Sequence, residues 1–472
     1  MTSEDRRWAQ QMFGSCDLGD ARRTRRLEDV AARLASHAGD SLASSCQSSK
    51  AAALGAYRLI GNDNVCPQAI AEGGFAAVAQ MASGHEGDLL AVEDTTSVVY
   101  AHTVAAQLGT TGSRCEAKQR GYLVHSVLLL HANSERTVGL LEQRRWCRDD
   151  ASYGKKHARK QRAYEDKESF KWQQASERIE QRLDAQTLGR VISVCDRECD
   201  IYEYLRYKLE RGQRFVVRAQ ADRVLSDQQQ TLFAKLQSPD SVLYESQVEI
   251  AQRGGRLARK ASLRVCACGV SLSAPANRGA GSPALRVNVV RVYEEAAEQE
   301  KARLNWVLLT SEAVDSAERV KKIVRYYELR WRIEEYHKAW KSGVGVERLR
   351  QQSEGNLERM VVITAFVAVR VLQLRERVGQ ESESALPCDG VLEADEWRML
   401  WLLDHKEKKA PLPASPPSLA WACLAIARLG GFLDTKHTGR PGWKTLWDGW
   451  LRLQDRVEGL RLARELGGGG TM

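Results

Sequence analysis

Short, unbroken apolar runs are the main pattern in the first half of this chain. Residues 89–92 (LLAV) and 191–194 (VISV) have the length and composition of buried strands. Residues 167–183 have the 3.6-residue periodicity of a helix. Further strand-like segments lie at residues 98–101, 121–130 and 137–142. Strands and helices interspersed in this way predict a mixed α/β sheet covered by helices.

Between residues 213 and 310 the hydrophobic period becomes two, which is typical of strands. Glycine-rich breaks at residues 254–255 and 279–281 separate the segments. The predicted strands lie at residues 214–218, 242–250, 261–273, 284–293 and 304–309. This region therefore predicts a largely antiparallel β segment inserted into the α/β domain.

The first 67 residues have helical periodicity. Helices are predicted at Ala21–Ser36 and Lys50–Ile60. The first of them concentrates four arginines within five residues, Arg22, Arg23, Arg25 and Arg26. Such a cluster either forms a solvated face or binds phosphate groups.

Helices return at about residue 316 and dominate to the end of the chain. Residues 386–390 and 410–417 have the composition of linkers. Residues 419–462 predict two amphipathic helices that are rich in tryptophan: Trp421, Trp443, Trp447 and Trp450. Aromatic residues in such helices suit a hydrophobic core as well as a subunit interface.

Composition narrows the class of protein. A length of 472 residues, of which 43% are hydrophobic, suits two or three globular domains, and the net charge of +9 favours a polyanionic partner such as nucleic acid. We find neither signal-peptide character at the N-terminus nor an apolar stretch long enough to span a membrane. Eleven cysteines without a disulfide framework suit free thiols. We therefore expect a soluble, cytoplasmic protein with no membrane partner.

Two aspartates follow the two apolar runs. Asp94 comes directly after the first predicted strand and Asp196 directly after the second. Functional side chains gather at the carboxyl ends of strands in α/β sheets, so the two carboxylates are candidates for one site. Either aspartate alone would more often be a turn former or a helix cap.

A third acidic residue lies on a long predicted helix, residues 318–340. Tyr327, Arg330, Glu334 and Lys341 recur at positions i, i+3, i+7 and i+14, which places them on one stripe of its surface. A helix normally turns an aliphatic stripe toward the core, and this one is polar. The stripe either faces solvent, with its own Arg–Glu pairs, or belongs to a functional site.

Three carboxylates suit phosphodiester chemistry. Two Mg²⁺ ions held by Asp94, Asp196 and Glu334 would activate the attacking group and stabilise the leaving oxygen. Magnesium prefers oxygen ligands, so histidine and cysteine are not required, and Mn²⁺ is expected to substitute. Basic and aromatic residues on the stripe would hold DNA beside the ions.

At these residues the chain resembles a known family. The spacing Tyr327-x2-Arg330-x3-Glu334-x6-Lys341 is similar to the Y-R-E-K signature of the insertion-sequence-four family of bacterial cut-and-paste DDE transposases. The strings AVEDTTS around Asp94, CDRE, RFVVR, LLTSE and AIARLGGF also resemble that family. The resemblance runs nearly from end to end of the chain.

The resemblance implies a ribonuclease H-like catalytic domain, residues 68–365, with the β insertion at about 213–310. It implies an N-terminal helical domain (1–67) that binds transposon ends and a C-terminal helical domain (366–472) that pairs two subunits. Asp94, Asp196 and Glu334 would form the metal-binding catalytic triad. The residues implied in DNA contact are Tyr327, Arg330, Lys341, Lys338, Arg350, Arg22, Arg23, Arg26 and Arg58.

The family also forms DNA hairpins, and the resemblance extends to the residues involved. Trp306 would fill the space left by a flipped base, while Trp331 and Arg218 would support the flipped nucleotide. One stretch departs from the family, where an acidic loop is expected and the chain is basic (Lys155, Lys156, Arg159, Lys160 and Arg162). That stretch either contacts phosphates or is a solvated loop.

The expected function is cut-and-paste DNA transposition by a homodimer bound to inverted repeats and to target DNA. Nicking would release a 3′-OH that forms and then resolves a hairpin before joining target DNA. Two alternatives are a catalytically silent, transposase-derived repressor and a metal-dependent nuclease without strand transfer. We expect the protein to work in the bacterial cytoplasm, on the nucleoid.

Overall fold

The computed structural model describes residues 3–47, 49–112, 119–148, 162–226, 230–237, 242–250, 259–276, 281–294, 303–378, 385–406, 410–435 and 441–467. The N-terminal region is helical, with α1 Ser3–Phe13, α2 Ala21–Ser36, α3 Lys50–Ile60 and α4 Pro67–Ser83. The predicted bounds of α2 and α3 are confirmed. α2 begins where it does because the side chain of Asp20 accepts the backbone N–H of Arg22 at 2.8 Å.

The strands of the described residues form one sheet, in the order β3-β2-β1-β4-β5-β9-β8-β7-β6. The strands are β1 Leu89–Tyr100, β2 Arg120–His131, β3 Thr137–Trp146, β4 Val191–Cys195, β5 Arg214–Arg218, β6 Tyr244–Ile250, β7 Arg259–Leu272, β8 Leu285–Glu294 and β9 Asn305–Thr310. β1, β4 and β5 are parallel, and the other neighbours pair antiparallel. The predicted breaks at residues 254–255 and 279–280 lie outside the described residues.

β5 differs from its prediction. The period-two region is expected to be antiparallel from residue 213 onward, yet β5 pairs in parallel with β4. Alternation along a strand reports which faces are buried and not the direction of the neighbouring strand, so the sequence could not decide this. β9 then adds antiparallel to β5, and β8, β7 and β6 continue the same sheet.

β1 is longer than predicted, and this moves Asp94. The sequence pattern ends the strand at Val92, but pairing with β2 continues without interruption to Tyr100. Pairing with β4 stops at Val92. Asp94 therefore lies within β1 and not after its end, and it lies beyond the point where β4 stops. The predicted strand end at Val92 was wrong for β1 as a whole. It was correct for the parallel pairing of β1 with β4, which stops at Val92.

Helices cover the sheet and lead into the C-terminal region. They are α5 Lys171–Arg182, α6 Ala185–Leu188, α7 Tyr202–Glu210, α8 Leu232–Gln237, α9 Ala317–Leu329, α10 Trp331–Lys338 and α11 Glu354–Val378. The single helix predicted at residues 318–340 is divided at Arg330 and continues as a π-helix, Ala339–Val344. α11 is buried along most of its length, with Met360 and Phe366 in the main core.

The C-terminal helices α12 Ala394–Asp404, α13 Leu419–Leu429 and α14 Trp443–Gly467 have a hydrophobic core of their own. α13 and α14 cross closely, because a Cβ atom on Gly449 would lie 1.8 Å from the carbonyl oxygen of Ile426. Two glycines, Gly430 and Gly449, meet at this crossing. No helix in the described ranges is long and apolar enough to cross a membrane.

The N-terminal helices do not form a separate body. Leu27 and Ile60 belong to the same hydrophobic core as the strand residues Leu90 and Val92. The buried Arg359 of α11 reinforces this contact, because its guanidinium donates to the carbonyl oxygens of Ile60 and Val65 at 2.8 and 2.7 Å. It also pairs with Asp63 at 3.2 Å. α11 thus joins the N-terminal helices to the sheet.

Candidate functional site

Asp94 and Asp196 come together through the parallel pairing of β1 and β4. The ladder places Val92 beside Val194, and each aspartate lies two residues further along the chain, with Asp196 in extended backbone directly after β4. Residues two apart point to the same face of a sheet, so both carboxylates leave one face at the same level. Asp196 also caps the short helical turn Arg197–Cys199, where its Oδ1 accepts the N–H of Glu198 at 2.8 Å.

The environment of Asp94 connects it to the third acidic residue. The pKa of this carboxyl group is raised to about 6, mainly by burial and in addition by the negative charges of Asp196 and Glu334. The N–H of Thr95, which donates to Asp94 Oδ1 at 2.8 Å, and the charge of Arg330 act in the opposite direction. Asp94 is therefore close enough to the other two predicted triad residues for its pKa to depend on their charges.

Glu334 is held by the arginine one turn before it. Arg330 Nη2 donates to Glu334 Oε1 at 2.9 Å, and both side chains are largely buried. The pKa of Arg330 is lowered by burial but raised overall by Tyr327, Glu334 and Asp94. The guanidinium is thus a positive charge shared by two of the three acidic residues.

Aromatic rings surround Arg330. Its guanidinium lies over the ring of Tyr327, with 5.8 Å between the Cζ atom and the ring centroid. Tyr327 in turn meets Trp306 of β9 edge to face, with ring centroids 5.4 Å apart. Tyr327 is buried, which is unusual for the polar stripe of a solvated helix. The solvent-facing interpretation of the stripe is therefore wrong for Tyr327, Arg330 and Glu334.

α10 and the π-helix that follows it are fixed on the sheet by buried contacts on the side away from Glu334. The Nε2 group of Gln143, on β3, donates to the hydroxyl oxygen of Tyr336 at 3.0 Å. Trp340 Nε1 donates to Thr364 Oγ1 of α11 at 3.1 Å. Ile333, Tyr336 and Trp340 are fully buried. Glu334 therefore projects from a helix whose position is set by packing on both sides.

The donor set fits a hard divalent cation in kind. All three predicted ligands are carboxylates, and oxygen ligands are what Mg²⁺ and Mn²⁺ prefer. No group of three His, Cys, Asp or Glu side chains is arranged to hold a metal ion in the part of the chain that the structure describes. In this arrangement Arg330 is paired with one oxygen of Glu334, the oxygen atom being of the kind that a cation would need.

Lys341 has a different place from the rest of the predicted stripe. It lies in the π-helix, where the wider turn changes the direction of side chains relative to an α-helix. Lys341 Nζ is 3.9 Å from Glu347 Oε1, and the same Glu347 oxygen accepts the N–H of Val99 in β1 at 3.1 Å. The ammonium group is therefore positioned near β1 by Glu347.

The remaining candidates for DNA contact near the triad are on the surface. Trp331 is 42% exposed, and Lys338 Nζ lies 5.6 Å from its ring centroid. Arg350 is exposed. Arg218, at the end of β5, donates to the carbonyl oxygen of Asn305 at 3.3 Å. Of the basic stretch, Lys155, Lys156, Arg159 and Lys160 lie outside the described residues, and Arg162 is exposed.

The N-terminal arginines differ in how far their side chains are exposed. Arg22 and Arg58 are exposed, on α2 and α3. Arg23 is half-buried and donates to the carbonyl oxygen of Leu18 at 2.8 Å. Arg26 lies between the two helices, where a Cβ atom on Gly55 would come within 2.6 Å of its guanidinium carbon. The bare backbone at Gly55 therefore leaves room for this guanidinium.

Sequence reasoning missed exposed apolar residues on α3. Leu54 is 57% and Tyr57 51% exposed, directly beside Arg58. An exposed tyrosine next to arginine on a helix surface is a suitable partner for a nucleic-acid backbone. Leu54 and Arg58 are four residues apart and therefore share one face of α3. The sequence could have shown that this face is exposed only if the packing of α3 against α2 had been known.

A buried polar network on the opposite face of β1 was also missed. His125 is fully buried, with Nδ1 3.0 Å from Thr95 Oγ1 and Nε2 3.4 Å from Glu93 Oε2. Burial lowers the pKa of His125. Glu93 and Thr95 flank Asp94 in β1, so the network fixes the strand segment that presents the carboxylate. In a strand, Glu93 and Thr95 point to the face opposite Asp94. This alternation was the signal in the sequence from which the network could have been predicted.

Three protein-family models match the chain. The model described as Transposase DNA-binding matches residues 5–65. The model described as Transposase DDE domain matches residues 172–370, which include Asp196 and Glu334 but not Asp94. The model described as Transposase Tn5 dimerisation domain matches residues 365–470. Asp94 is thus related to Asp196 by the β1–β4 pairing and to Glu334 by the influence of its charge, and not by the match.

Proposed function

This chain belongs to the DDE transposases, with DNA-binding, metal-dependent DDE and Tn5-type dimerisation regions in that order, and from that premise we propose that it performs cut-and-paste transposition. Its catalytic domain is ribonuclease H-like. The proposed division of labour along the chain is end binding by residues 1–67, catalysis by 68–365 and subunit pairing by 366–472. The DNA partner is consistent with work in the bacterial cytoplasm, on the nucleoid.

In the proposed reaction, water cuts one strand at each transposon end and leaves a 3′-OH. That hydroxyl attacks the opposite strand to form a hairpin, water reopens the hairpin, and the 3′-OH joins target DNA. Each step displaces one oxygen of a phosphodiester by another, so a single set of groups serves all of them. The single feature that supports the site best is the shared level of Asp94 and Asp196 on one face, next to Glu334.

Asp94, Asp196 and Glu334 would hold the divalent ions, which we propose to be two Mg²⁺, with Mn²⁺ as a substitute. Bound ions of this kind lower the pKa of water and stabilise charge on the attacking and leaving oxygens. Glu334 would hold an ion with the oxygen that now accepts from Arg330, and the Arg330 guanidinium would then be available to a DNA phosphate. Lys341 contacts phosphate from the side of β1.

We propose that the aromatic pair of Trp306 and Tyr327 supports the DNA distortion that a hairpin requires. A base leaves the stack more easily if an aromatic ring takes its place, and Trp306 is half-buried at the edge of β9. Trp331, with Lys338 beside it, offers an exposed ring for the displaced nucleotide. Arg218 supplies a positive charge on the neighbouring strand, and Arg350 lies on the exposed surface.

The proposed end-binding surface lies on α2 and α3. Arg22, Arg23, Arg26 and Arg58 supply charge, and the exposed Tyr57 adds a ring next to Arg58 on α3. For pairing of subunits, the C-terminal region exposes several large apolar side chains. These are Leu386, Leu402, Leu412, Leu433 and Leu462, all between 45% and 75% exposed. Exposed apolar groups concentrated in one region are typical of interaction surfaces.

The proposed function is tested with a duplex that carries the inverted repeat flanking the gene, incubated with the full chain and Mg²⁺. Nicks, hairpins and joined target products are resolved on denaturing gels. Asp196→Asn and Glu334→Gln should retain end binding and lose every product. End binding without products from the wild-type chain would indicate a repressor, and cutting without target joining would indicate a nuclease.

A further inference from the structure

A groove of about 400 Å³ lies beside the triad, and Arg218 is the one residue among the predicted DNA contacts that lines it. It is bounded by Arg197, which directly follows Asp196, and by Arg218, Phe233, Leu236, Arg291 and Asn305. We call it the arginine groove. It opens at the edge of the sheet where β4 and β5 end, so it starts at the site itself.

The charge of the arginine groove is uncompensated. None of the described residues that line it is acidic. Arg291 donates to Asn305 Oδ1 and to the carbonyl oxygen of Leu236, and Arg218 donates to another carbonyl oxygen. The side chain of Arg197 makes no hydrogen bond or ion pair with any residue that the structure describes.

Other arginines nearby are arranged differently. Arg214 pairs with Asp88 and Glu312, and Arg223 pairs with Asp200. Structural arginines in this part of the molecule thus have carboxylate partners, whereas the three of the groove have neutral ones or none. Three positive charges that converge without a carboxylate suit an anionic ligand that carries more than one charge.

The walls of the groove add features of a nucleotide site. Phe233 and Leu236 of α8 provide an aromatic ring and an apolar surface, and Phe233 is only half-buried. A base can stack on such a ring whatever its identity. Gln220, Gln237 and Asn305 supply amide groups that can hydrogen-bond base edges. Phosphate and base would thus both find partners here.

The arginine groove is separate from the aromatic pair of Trp306 and Tyr327. Asn305 and Val307 line the groove, while Trp306 between them points to the other face of β9, toward Tyr327. Its volume is in the range of small-ligand pockets, which suits one or two unpaired nucleotides better than a duplex. DNA strands separated at the triad would therefore have two different paths.

We propose that the arginine groove binds a short unpaired stretch of a DNA strand next to the cleavage position. The proposal rests on the proposed function for the source of that strand, which is either the DNA flanking the transposon or the target. The binding of a strand in the groove does not depend on the proposed function. The chemistry is the same in both cases: a phosphodiester held by Arg197, Arg218 and Arg291, with a base against Phe233.

Binding is measured first with a short oligothymidylate, by fluorescence anisotropy, in the absence of metal. Arg197→Gln and Arg291→Gln should each weaken binding by about tenfold and lower the slope against salt by about one. Arg286→Gln is the matched control, because Arg286 lies on the same strand as Arg291 but is exposed on its opposite face. Equal affinities for all four proteins would overturn the proposal.

A second measurement locates the strand. An oligonucleotide with 5-iododeoxyuridine should photo-crosslink to the peptide that contains Phe233, and the crosslink should be lost in Phe233→Leu. Arg197→Gln guards against misfolding, because that side chain has no partner among the described residues to lose. A crosslink confined to Trp306 or Trp331 would contradict the proposal, even if the affinity of the arginine variants fell.

The source of the strand is then separated with inverted-repeat duplexes. If the groove takes flanking DNA, Arg291→Gln should weaken binding of a duplex with a single-stranded flank and spare a duplex that is blunt at the cleavage position. If it takes target DNA, both duplexes should bind normally and the KM for target in strand transfer should rise about tenfold. Failure of the wild-type chain to cut DNA would refute the proposed function, while the oligothymidylate measurement would still decide the groove.

Discussion

At the scale of single residues, the pKa of the Asp94 carboxyl group is set by influences that oppose one another. It is half-buried in β1 between Glu93 and Thr95 and senses the charges of Asp196 and Glu334. Only the N–H of Thr95 and the charge of Arg330 favour its ionised form among the larger influences. The net result is a carboxylate that the fold disfavours without a cation nearby. That cost can be measured.

Asp94→Asn should stabilise the protein in EDTA at pH 8 by on the order of 2 kcal/mol. The pKa of Asp94 is raised from 3.8 to about 6, so the free energy of unfolding falls as the pH rises from about 4 to about 6, and each pKa unit corresponds to about 1.4 kcal/mol. Below pH 3 the carboxyl group is protonated in both states and the gain should vanish. Urea unfolding at pH 3 and pH 8 measures the difference.

The control for this prediction is Glu318→Gln, an exposed position at the start of α9. It should leave the dependence of stability on pH unchanged. A gain for Asp94→Asn that is the same at both pH values would show that the effect comes from packing and not from ionisation.

Gly55→Ala should weaken binding of inverted-repeat DNA several-fold without loss of stability. A Cβ atom at Gly55 meets the mobile end of the Arg26 side chain, so the guanidinium must move while the helix gains about 1 kcal/mol of propensity. Anisotropy and thermal unfolding measure the two effects. Arg26→Gln provides the comparison, because the double variant should bind no more weakly than Arg26→Gln alone. Additive losses would mean that Gly55 acts independently of Arg26.

At the scale of elements, the run from α9 to the π-helix distributes four polar residues between two places. Tyr327, Arg330 and Glu334 lie together because α9 and α10 continue each other across Arg330. Lys341 lies one element later, where the wider π-turn directs it toward Glu347. The four residues that form one stripe in the sequence therefore form two groups in the structure. Tyr327, Arg330 and Glu334 lie together at the triad, and Lys341 lies near β1 at Val99.

The crossing of α13 and α14 is the element contact most sensitive to volume. Gly449→Ala should destabilise the C-terminal region by at least 1–3 kcal/mol, because the new methyl group would overlap the carbonyl oxygen of Ile426. Gly459→Ala, in the same helix but with open space around it, should be neutral or slightly stabilising. Thermal unfolding and light scattering compare stability and subunit pairing. Equal behaviour of the two variants would exclude a close crossing.

At the scale of the whole molecule, the N-terminal helices share one hydrophobic core with the sheet and α11. A DNA end held by α2 and α3 is therefore held at a defined distance from Asp94. Arg359 is central to this arrangement, because its buried guanidinium bonds the backbone after α3 from a helix that packs under the site. Where the DNA is cut would then depend on how firmly the two parts are joined.

Arg359→Gln should leave affinity for inverted-repeat DNA within about twofold, while the nick rate falls and nicks spread to neighbouring phosphodiesters. The glutamine cannot reach Ile60, Val65 and Asp63 together, and the loss of buried hydrogen bonds to a charged group costs about 1.5–3 kcal/mol for each bond. Sequencing gels of end-labelled DNA show the nick positions.

Arg359→Lys keeps the charge but not the fork of donors, and it should give an intermediate result. Circular dichroism confirms that each variant is folded before the nicks are compared. A single sharp nick position at the wild-type rate in Arg359→Gln would contradict a role in setting the distance between end binding and cutting.

Much of the fold was predictable because its elements are local. The bounds of α2, α3 and β4 follow from capping residues and from short apolar runs, which act within a few residues. The continuation of β1 past Val92 was not predictable, because residues 93–97 are polar and are held by pairing with β2. The parallel direction of β5 was also decided by its neighbour and not by its own pattern.

For the site, the sequence by itself determined which residues are available: Asp94, Asp196 and Glu334 with the Tyr327–Lys341 spacing, and the family those residues resemble. Only the tertiary structure decided their relations, such as the level shared by Asp94 and Asp196, the Arg330–Glu334 pair and the arginine groove. The physical reason is range. Residue type and period act along the chain, whereas ion pairs, burial and charge depend on which distant segments pack together.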